Sequence, residues 1–254
     1  MSLAGKVILV TGASRGIGRA LADGFVADGA DVVAFDLQET SSPDDTAHLL
    51  AVVGDVTSEA DVDRVVATAH QRFGHIDVLV NNAGIAGTGE LLARPFKAWA
   101  AVIQVNLLGV ALCTHRVLPG MLARGYGRVI NVASRAAEFP RAEESAYSAS
   151  KAGVISFTRA LAAEVGPPKY PDILINALIP GPTNTAMTQQ AGYHPSRLQD
   201  PEAVYPHTRF LVTLPAGGPH GRVFWNSQEY AMYAQFNNPS HAEEVSTLLR
   251  TPRH

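Results

Sequence analysis

The chain has 254 residues, of which 46% are hydrophobic and 17% charged, with a formal net charge of -3 and a pI near 6.3. This composition suits one well-packed α/β domain, and it excludes a disordered chain and a nucleic-acid-binding surface, since the basic residues are few and scattered. The single cysteine, Cys113, permits neither an internal disulfide nor a cysteine-rich zinc site, so a reducing cytoplasm is the expected setting.

The first ten residues carry one lysine and a four-residue apolar run, too short for a secretory signal or for the ~20 apolar residues of a membrane span. That run, residues 7–10, leads straight into a glycine-rich turn and reads as a buried parallel strand. Further runs at 31–35, 50–53, 78–80, 128–132 and 173–178 alternate with segments of helical periodicity at 18–28, 58–73, 99–124 and 150–165. Parallel strands need right-handed crossovers, so the alternation predicts a single-domain, doubly wound α/β sheet with helices on both faces. Pro167 and Pro168 end the helix before them. From 189 to 219 the chain is irregular and proline-rich, which predicts a loop with one or two short helices; residues 186–220 are the expected lid over a substrate.

Thr11-Gly-Ala-Ser-Arg-Gly-Ile-Gly18 follows the first strand and opens the first helix, the context in which glycines serve an anion site. Gly12 allows the tight turn, Gly16 lets backbone approach a pyrophosphate at the helix N-terminus, and Gly18 allows close packing; Ser14, Arg15 and Ile17 complete the turn. Asp36 ends the second strand, 18 residues beyond Gly18 and beside Leu37, where a carboxylate accepts hydrogen bonds from adenosine ribose hydroxyls. The same carboxylate repels a 2'-phosphate, so NAD is the expected cofactor. Arg15 is the contrary feature, because an arginine in this turn reaches a 2'-phosphate.

These features, together with Asp55, Asn81-Asn-Ala-Gly84, Asn106, Ser134, Tyr147-x-x-x-Lys151 and Pro180-Gly181, resemble the short-chain dehydrogenase/reductase family in order and spacing over about residues 1–186. The resemblance implies that Asp55 and Val56 meet the adenine, Asn82, Ala83 and Gly84 the cofactor ribose region, and Pro180, Gly181, Thr183 and Thr185 the nicotinamide. It implies a catalytic set of Asn106, Ser134, Tyr147 and Lys151. Moving hydride between an alcohol and a ketone requires a group that gives and reclaims the hydroxyl proton. A free phenol has a pKa of ~10, and a nearby cation favours its ionised form. Tyr147 and Lys151, four apart on a helix, share a face. In the family pattern that lysine also holds the nicotinamide ribose, Ser134 steadies the substrate oxygen, and Asn106 holds a water that links Lys151 to solvent.

The sequence thus predicts an NAD-dependent oxidoreductase acting on a small-molecule secondary alcohol or ketone; the rival reading is an NADPH-dependent carbonyl or 3-oxoacyl reductase. A non-catalytic dinucleotide sensor would have no need of the Tyr-Lys pair. The nine histidines show no metal-ligand spacing, so no metal is expected, and Cys113 on an apolar helix reads as an inert core residue. Substrate-facing segments are expected at 135–141, 85–89 and 186–205, with Phe139, Met187 and Tyr193 as apolar walls. Arg135 and Arg141 are either anion-binding groups or solvated surface residues. After Gly221-Arg-Val the sequence Phe224-Trp-Asn-Ser departs from the commonest family ending, which weakens transfer of tail-mediated contacts. A homo-oligomer, dimer or tetramer, pairing through the long helices is the remaining expectation.

Overall fold

The computed structural model describes residues 2–39, 47–190 and 194–232. β1 (Val7–Thr11) and β2 (Asp31–Asp36) pair in parallel around the crossover helix α1 (Gly16–Ala27). β3 (Leu49–Val53) flanks β2 at the sheet edge, and β4 (Val78–Asn81) lies on the other side of β1. β5 (Gly127–Val132) and β6 (Ile173–Ile179) continue the parallel sheet, giving the order β3-β2-β1-β4-β5-β6 before two further strands. All six expected strands form, and the winding reverses between β1 and β4. At such a point the crossover helices diverge to opposite faces and leave a crevice at the carboxyl ends of the strands.

Strand side chains alternate between faces, which is why each strand feeds two cores. Ile8 and Val10 of β1 join Leu21 and Phe25 of α1 on one face, whereas Val7 and Leu9 join the other face. There they meet α2 (Glu59–Phe73) and a long rod built from α3 (Phe96–Ile103), a π turn (Gln104–Leu108) and α4 (Gly109–Arg124). Ser58 caps α2 by accepting from the Asp61 amide, and Gly74 ends it in a left-handed conformation. α5 (Ser145–Glu164) completes this layer. By length and composition the rod Phe96–Arg124 is apolar enough to cross a bilayer. Here one side of it covers the sheet through Val110, Cys113, Val117 and Met121, and Arg116 pairs with Glu59 and Asp63. Burial pushes the Cys113 thiol up to about 12, which keeps it protonated and unreactive.

The end of the chain differs from the sequence expectation in two ways. The sheet gains β7 (Val223–Trp225), parallel to β6, and β8 (Gln228–Glu229), antiparallel to β7. Their two-residue turn places Asn226 at φ 56°, a left-handed conformation that asparagine tolerates, so the departing tail sequence still closes a hairpin. Second, the segment expected as one lid divides. α6 (Ala186–Gln190) and a 3-10 turn at Pro195–Arg197 lie near the surface, but α7 (Tyr205–Val212) belongs to the scaffold. Val204, Leu211, Val212 and Leu214 are buried in the Phe25 core, and Arg209 pairs with Asp28 at the end of α1. Apolar burial fixes 201–214 to the scaffold. Tyr193 and the sequence after Met232 lie outside the described residues.

Candidate active site

The crevice is stitched together at the ends of β1 and β4. Thr11 Oγ1 accepts from the Asn82 and Ala83 amides, both at 3.0 Å, and the Asn82 side-chain amide donates to the carbonyls of Thr11 at 3.0 Å and Gly12 at 3.1 Å. Gly12 sits at φ 68°, and a Cβ on Gly18 would fall 2.0 Å from the Gly12 carbonyl oxygen, so neither position accepts a side chain. Ile17 packs against the α1 core, and Ala83 against the opposite one. Gly16 lies opposite Thr185, bringing the glycine turn up to the segment after β6.

Asp36 reaches back to this turn. Its Oδ2 accepts from the Ser14 amide at 2.9 Å and its Oδ1 from the Gln38 amide at 3.1 Å, so the carboxylate is fixed at the mouth of the crevice beside the exposed Leu37. Arg15, at the N-cap of α1, is exposed. Two observations test whether a dinucleotide fits. No side chain caps α1, which leaves its first-turn amides to an outside acceptor such as a pyrophosphate. The Ser14 hydroxyl is buried without a hydrogen-bond partner in the protein. Both are features of a surface shaped for a bound anion, and the residues present fit the group.

Other members of the expected cofactor set sit further along the same edge. Asp55 Oδ1 accepts from the amide and hydroxyl of Thr57, both at 2.8 Å, so much of this side chain's capacity goes to shaping the turn before α2. Val56 is buried beneath Gly109. After Pro180, Thr183 Oγ1 donates to the Gly181 carbonyl at 2.8 Å and accepts from Gln199 at 3.2 Å. The Thr185 amide donates to Thr188 Oγ1 at 3.0 Å. Gln199 and Thr188 were not anticipated; they bind the 181–199 segment to itself.

Asn106 and Lys151 are bonded to backbone that follows β4 and ends β5, Tyr147 lies one helical turn before Lys151, and Ser134 comes two residues after β5. Asn106 lies in the π turn of the long rod, fully buried, where the extra residue turns its side chain toward the β4 loop. Its Oδ1 accepts from the Ile85 amide at 2.8 Å, while Nδ2 donates to the Ile85 carbonyl at 2.9 Å and to Ser150 Oγ at 3.1 Å. Ser150 in turn donates to the Tyr147 carbonyl at 2.7 Å. This link was missed in the sequence, although position i+3 from Tyr147 on a helix faces the same way. The Lys151 ammonium donates to the Val132 carbonyl at 2.7 Å and lies 5.8 Å from the Tyr147 ring centre. No carboxylate pairs with it among the described residues, and burial pulls its pKa down to about 8. A buried cation without a counter-ion is costly, and it is held next to a phenol. Ser134 Oγ accepts from the Ala136 amide at 3.2 Å, which fixes the oxygen and leaves the hydroxyl hydrogen to donate.

Around these groups, Arg135 stacks between Phe139 and Trp225, with its guanidinium 5.0 Å and 4.4 Å from the two ring centres. Arg141 pairs with Glu144 on its own turn. The Gly89 amide donates to the Glu143 carbonyl at 2.9 Å, joining the expected substrate-facing loop 85–89 to the turn just beyond 135–141. Met187 is half-buried on α6. Among the described residues no His, Cys, Asp and Glu side chains gather as a metal site.

Comparison with known proteins agrees with this geometry. The short chain dehydrogenase family model matches residues 6–195. The chain is 39% identical over 230 residues to the 3-oxoacyl-[acyl-carrier-protein] reductase of Synechocystis sp., spanning 85% of this chain and 92% of that protein. It is 39% identical over 208 residues to the 2-(R)-hydroxypropyl-CoM dehydrogenase of Xanthobacter autotrophicus, spanning 78% and 80%. A crystal structure of 3-ketoacyl-(acyl-carrier-protein) reductase from Brucella melitensis complexed with NADH superposes with a TM-score of 0.79 at 33% identity, covering 88% of this chain and 97% of that one. With the family model matching residues 6–195 and relatives 39% identical over most of both chains, the chain belongs to the short-chain dehydrogenase/reductase family of oxidoreductases, which bind a nicotinamide cofactor.

Proposed function

We propose that the protein interconverts a ketone and its secondary alcohol with NAD(H), and that ketone reduction of the 3-oxoacyl type is its main reaction. The observation that carries the chemistry is the buried Lys151 cation, 5.8 Å from the Tyr147 ring and free of any counter-carboxylate among the described residues. Bound NADH supplies the hydride. Tyr147 gives its hydroxyl proton to the substrate oxygen as the carbonyl carbon is reduced, and reclaims it in the reverse direction. Lys151 favours the phenolate that remains, Ser134 donates to the developing alkoxide, and Asn106 holds the Ile85 loop and Ser150 in place around them.

The sequence leaves the direction open between alcohol and ketone; the 3-oxoacyl reductases among the relatives move the reading toward reduction, because that is the reaction in their names. Asp36 still favours NAD(H), and the structure of a ketoacyl reductase complexed with NADH supports pairing this cofactor with that class of reaction. The NADPH reading rests on the exposed Arg15. The 39% identical hydroxypropyl-CoM dehydrogenase keeps alcohol oxidation as the second reading. We further propose a cytoplasmic homo-oligomer pairing through α4 and α5, where Leu112, Phe157 and Leu161 line an apolar groove of about 550 Å³ away from the catalytic groups. Steady-state rates with an acetoacetyl thioester and either reduced cofactor test the proposal. NADH should give at least tenfold the kcat/KM of NADPH; a clear NADPH preference contradicts the cofactor assignment, and turnover only with simple secondary alcohols contradicts the substrate class.

A further inference from the structure

Ser134 stands at the entrance of a short 3-10 turn, Arg135–Ala137, that is closed by its own hydrogen bonds. The Ala137 amide donates to the Ser134 carbonyl at 3.1 Å, and the Glu138 and Phe139 amides donate to the Arg135 carbonyl at 3.0 and 2.8 Å. Such a turn keeps its shape but does not by itself fix its position over the sheet. Its two flanking side chains do reach outward, and both reach the same element. The Arg135 guanidinium lies 4.4 Å from the Trp225 ring centre, and Glu138 accepts from the Tyr230 hydroxyl at 2.7 Å. Trp225 and Tyr230 are themselves in edge-to-face contact at 5.6 Å. Both belong to the hairpin of β7 and β8 and the residue after it, which is anchored to β6 by the parallel pairing of Ile179 with Trp225.

The geometry points to Trp225 and Tyr230 as positioning residues that act on catalysis through Ser134, an inference that rests on the catalytic role proposed for that serine. The hairpin grips the turn at residues 135 and 138, one on each side of the Ala136 amide that fixes Ser134 Oγ. Arginine stacked on an aromatic face and a charge-assisted hydrogen bond are both directional contacts, so together they restrict tilt as well as distance. A hydroxyl that donates to a developing alkoxide loses much of its effect with a displacement of about 1 Å. The departing tail sequence Phe224-Trp-Asn-Ser thus supplies the platform against which this turn is held. Pocket walls alone would not require two polar grips on one turn.

A double-mutant cycle separates this role from simple stabilisation. Single-turnover hydride transfer is measured at 25 °C for Trp225→Leu and Tyr230→Phe, each alone and combined with Ser134→Ala, with cofactor affinity measured in parallel. Tyr230→Phe keeps the ring against Trp225 and removes only the hydroxyl, so it reports even if Trp225→Leu does not fold. Trp225→Leu is expected to slow hydride transfer about tenfold, and Tyr230→Phe about threefold, with cofactor affinity unchanged. In the Ser134→Ala background each should change the rate less than twofold. Equal losses in both backgrounds, or no loss from either single variant, overturn the inference. Full activity of Ser134→Ala alone instead overturns the catalytic role of the serine.

Discussion

Replacing Lys151 by methionine keeps a long apolar stem in the buried site and removes only the charge and its donor. A unit charge 5.8 Å from the Tyr147 ring centre, at an effective dielectric of 20, interacts with a phenolate by about 3 kcal/mol, or about two pH units. The alkaline-rising limb of alcohol oxidation should therefore move about two units to higher pH in Lys151→Met, with oxidation at neutral pH falling on the order of a hundredfold. The assay is single-turnover hydride transfer against pH with cofactor saturating, so that weakened ribose binding does not enter. A limb displaced by less than half a unit would show that the ammonium does not govern proton release. The same variant has a stability signature. Burial pulls Lys151 from 10.5 down to about 8, so between those values the unfolded chain binds more protons than the folded one and stability rises with pH. Below about pH 8 the buried cation's cost is fully present. Lys151→Met removes it, offset by about 1–3 kcal/mol for the Val132 carbonyl left unpaired. The stability difference should shift toward the wild type as pH rises from about 8 to 10.5, and a pH-independent difference would refute the burial argument.

Three further outcomes follow from named contacts. Asp36→Asn keeps one acceptor for the Ser14 and Gln38 amides and removes the charge, so the ratio of kcat/KM for NADPH over NADH should rise at least tenfold; an unchanged ratio would remove Asp36 from cofactor selection. Thr11→Val deprives the Asn82 and Ala83 amides of their shared acceptor and should cost about 2–4 kcal/mol in urea unfolding, with weaker cofactor binding; a loss below about 0.5 kcal/mol would mean that water replaces the hydroxyl. Phe157→Glu places a charge in the groove between α4 and α5 and should yield monomers in sedimentation, whereas an unchanged assembly would place the subunit contact elsewhere.

The parallel strands were legible because burial on both faces makes them continuous apolar runs such as Val7-Ile-Leu-Val10, bounded by turns. The Tyr147-Lys151 pair was legible through its resemblance to the family motif, helical spacing adding that the two share a face, and Asp36 from its place at a strand end. β7 and β8 were not, because strands of three and two residues carry no period, and the left-handed Asn226 that joins them lacks the glycine that usually marks such a turn. The scaffold role of 201–214 was hidden by prolines. Pro201 and Pro206 suggested irregular chain, yet both stand in the first turn of short helices, where a missing amide does no harm. Thr11 and Ser150 escaped notice because a short hydroxyl gives no sign in sequence of which backbone group it will meet. The π turn at Gln104–Leu108 was equally silent, since nothing in Gln-Val-Asn-Leu-Leu separates it from ordinary helix.

Tyr147→Phe offers the most direct measurement of the proposed chemistry, because it deletes one hydroxyl and leaves the ring, Lys151 and the cofactor crevice intact. Single-turnover reduction of an acetoacetyl thioester should fall by about 10²–10⁴-fold while NADH still raises the melting temperature as in the wild type. Retention of more than about a tenth of the wild-type rate would contradict the assignment of Tyr147 as the proton donor.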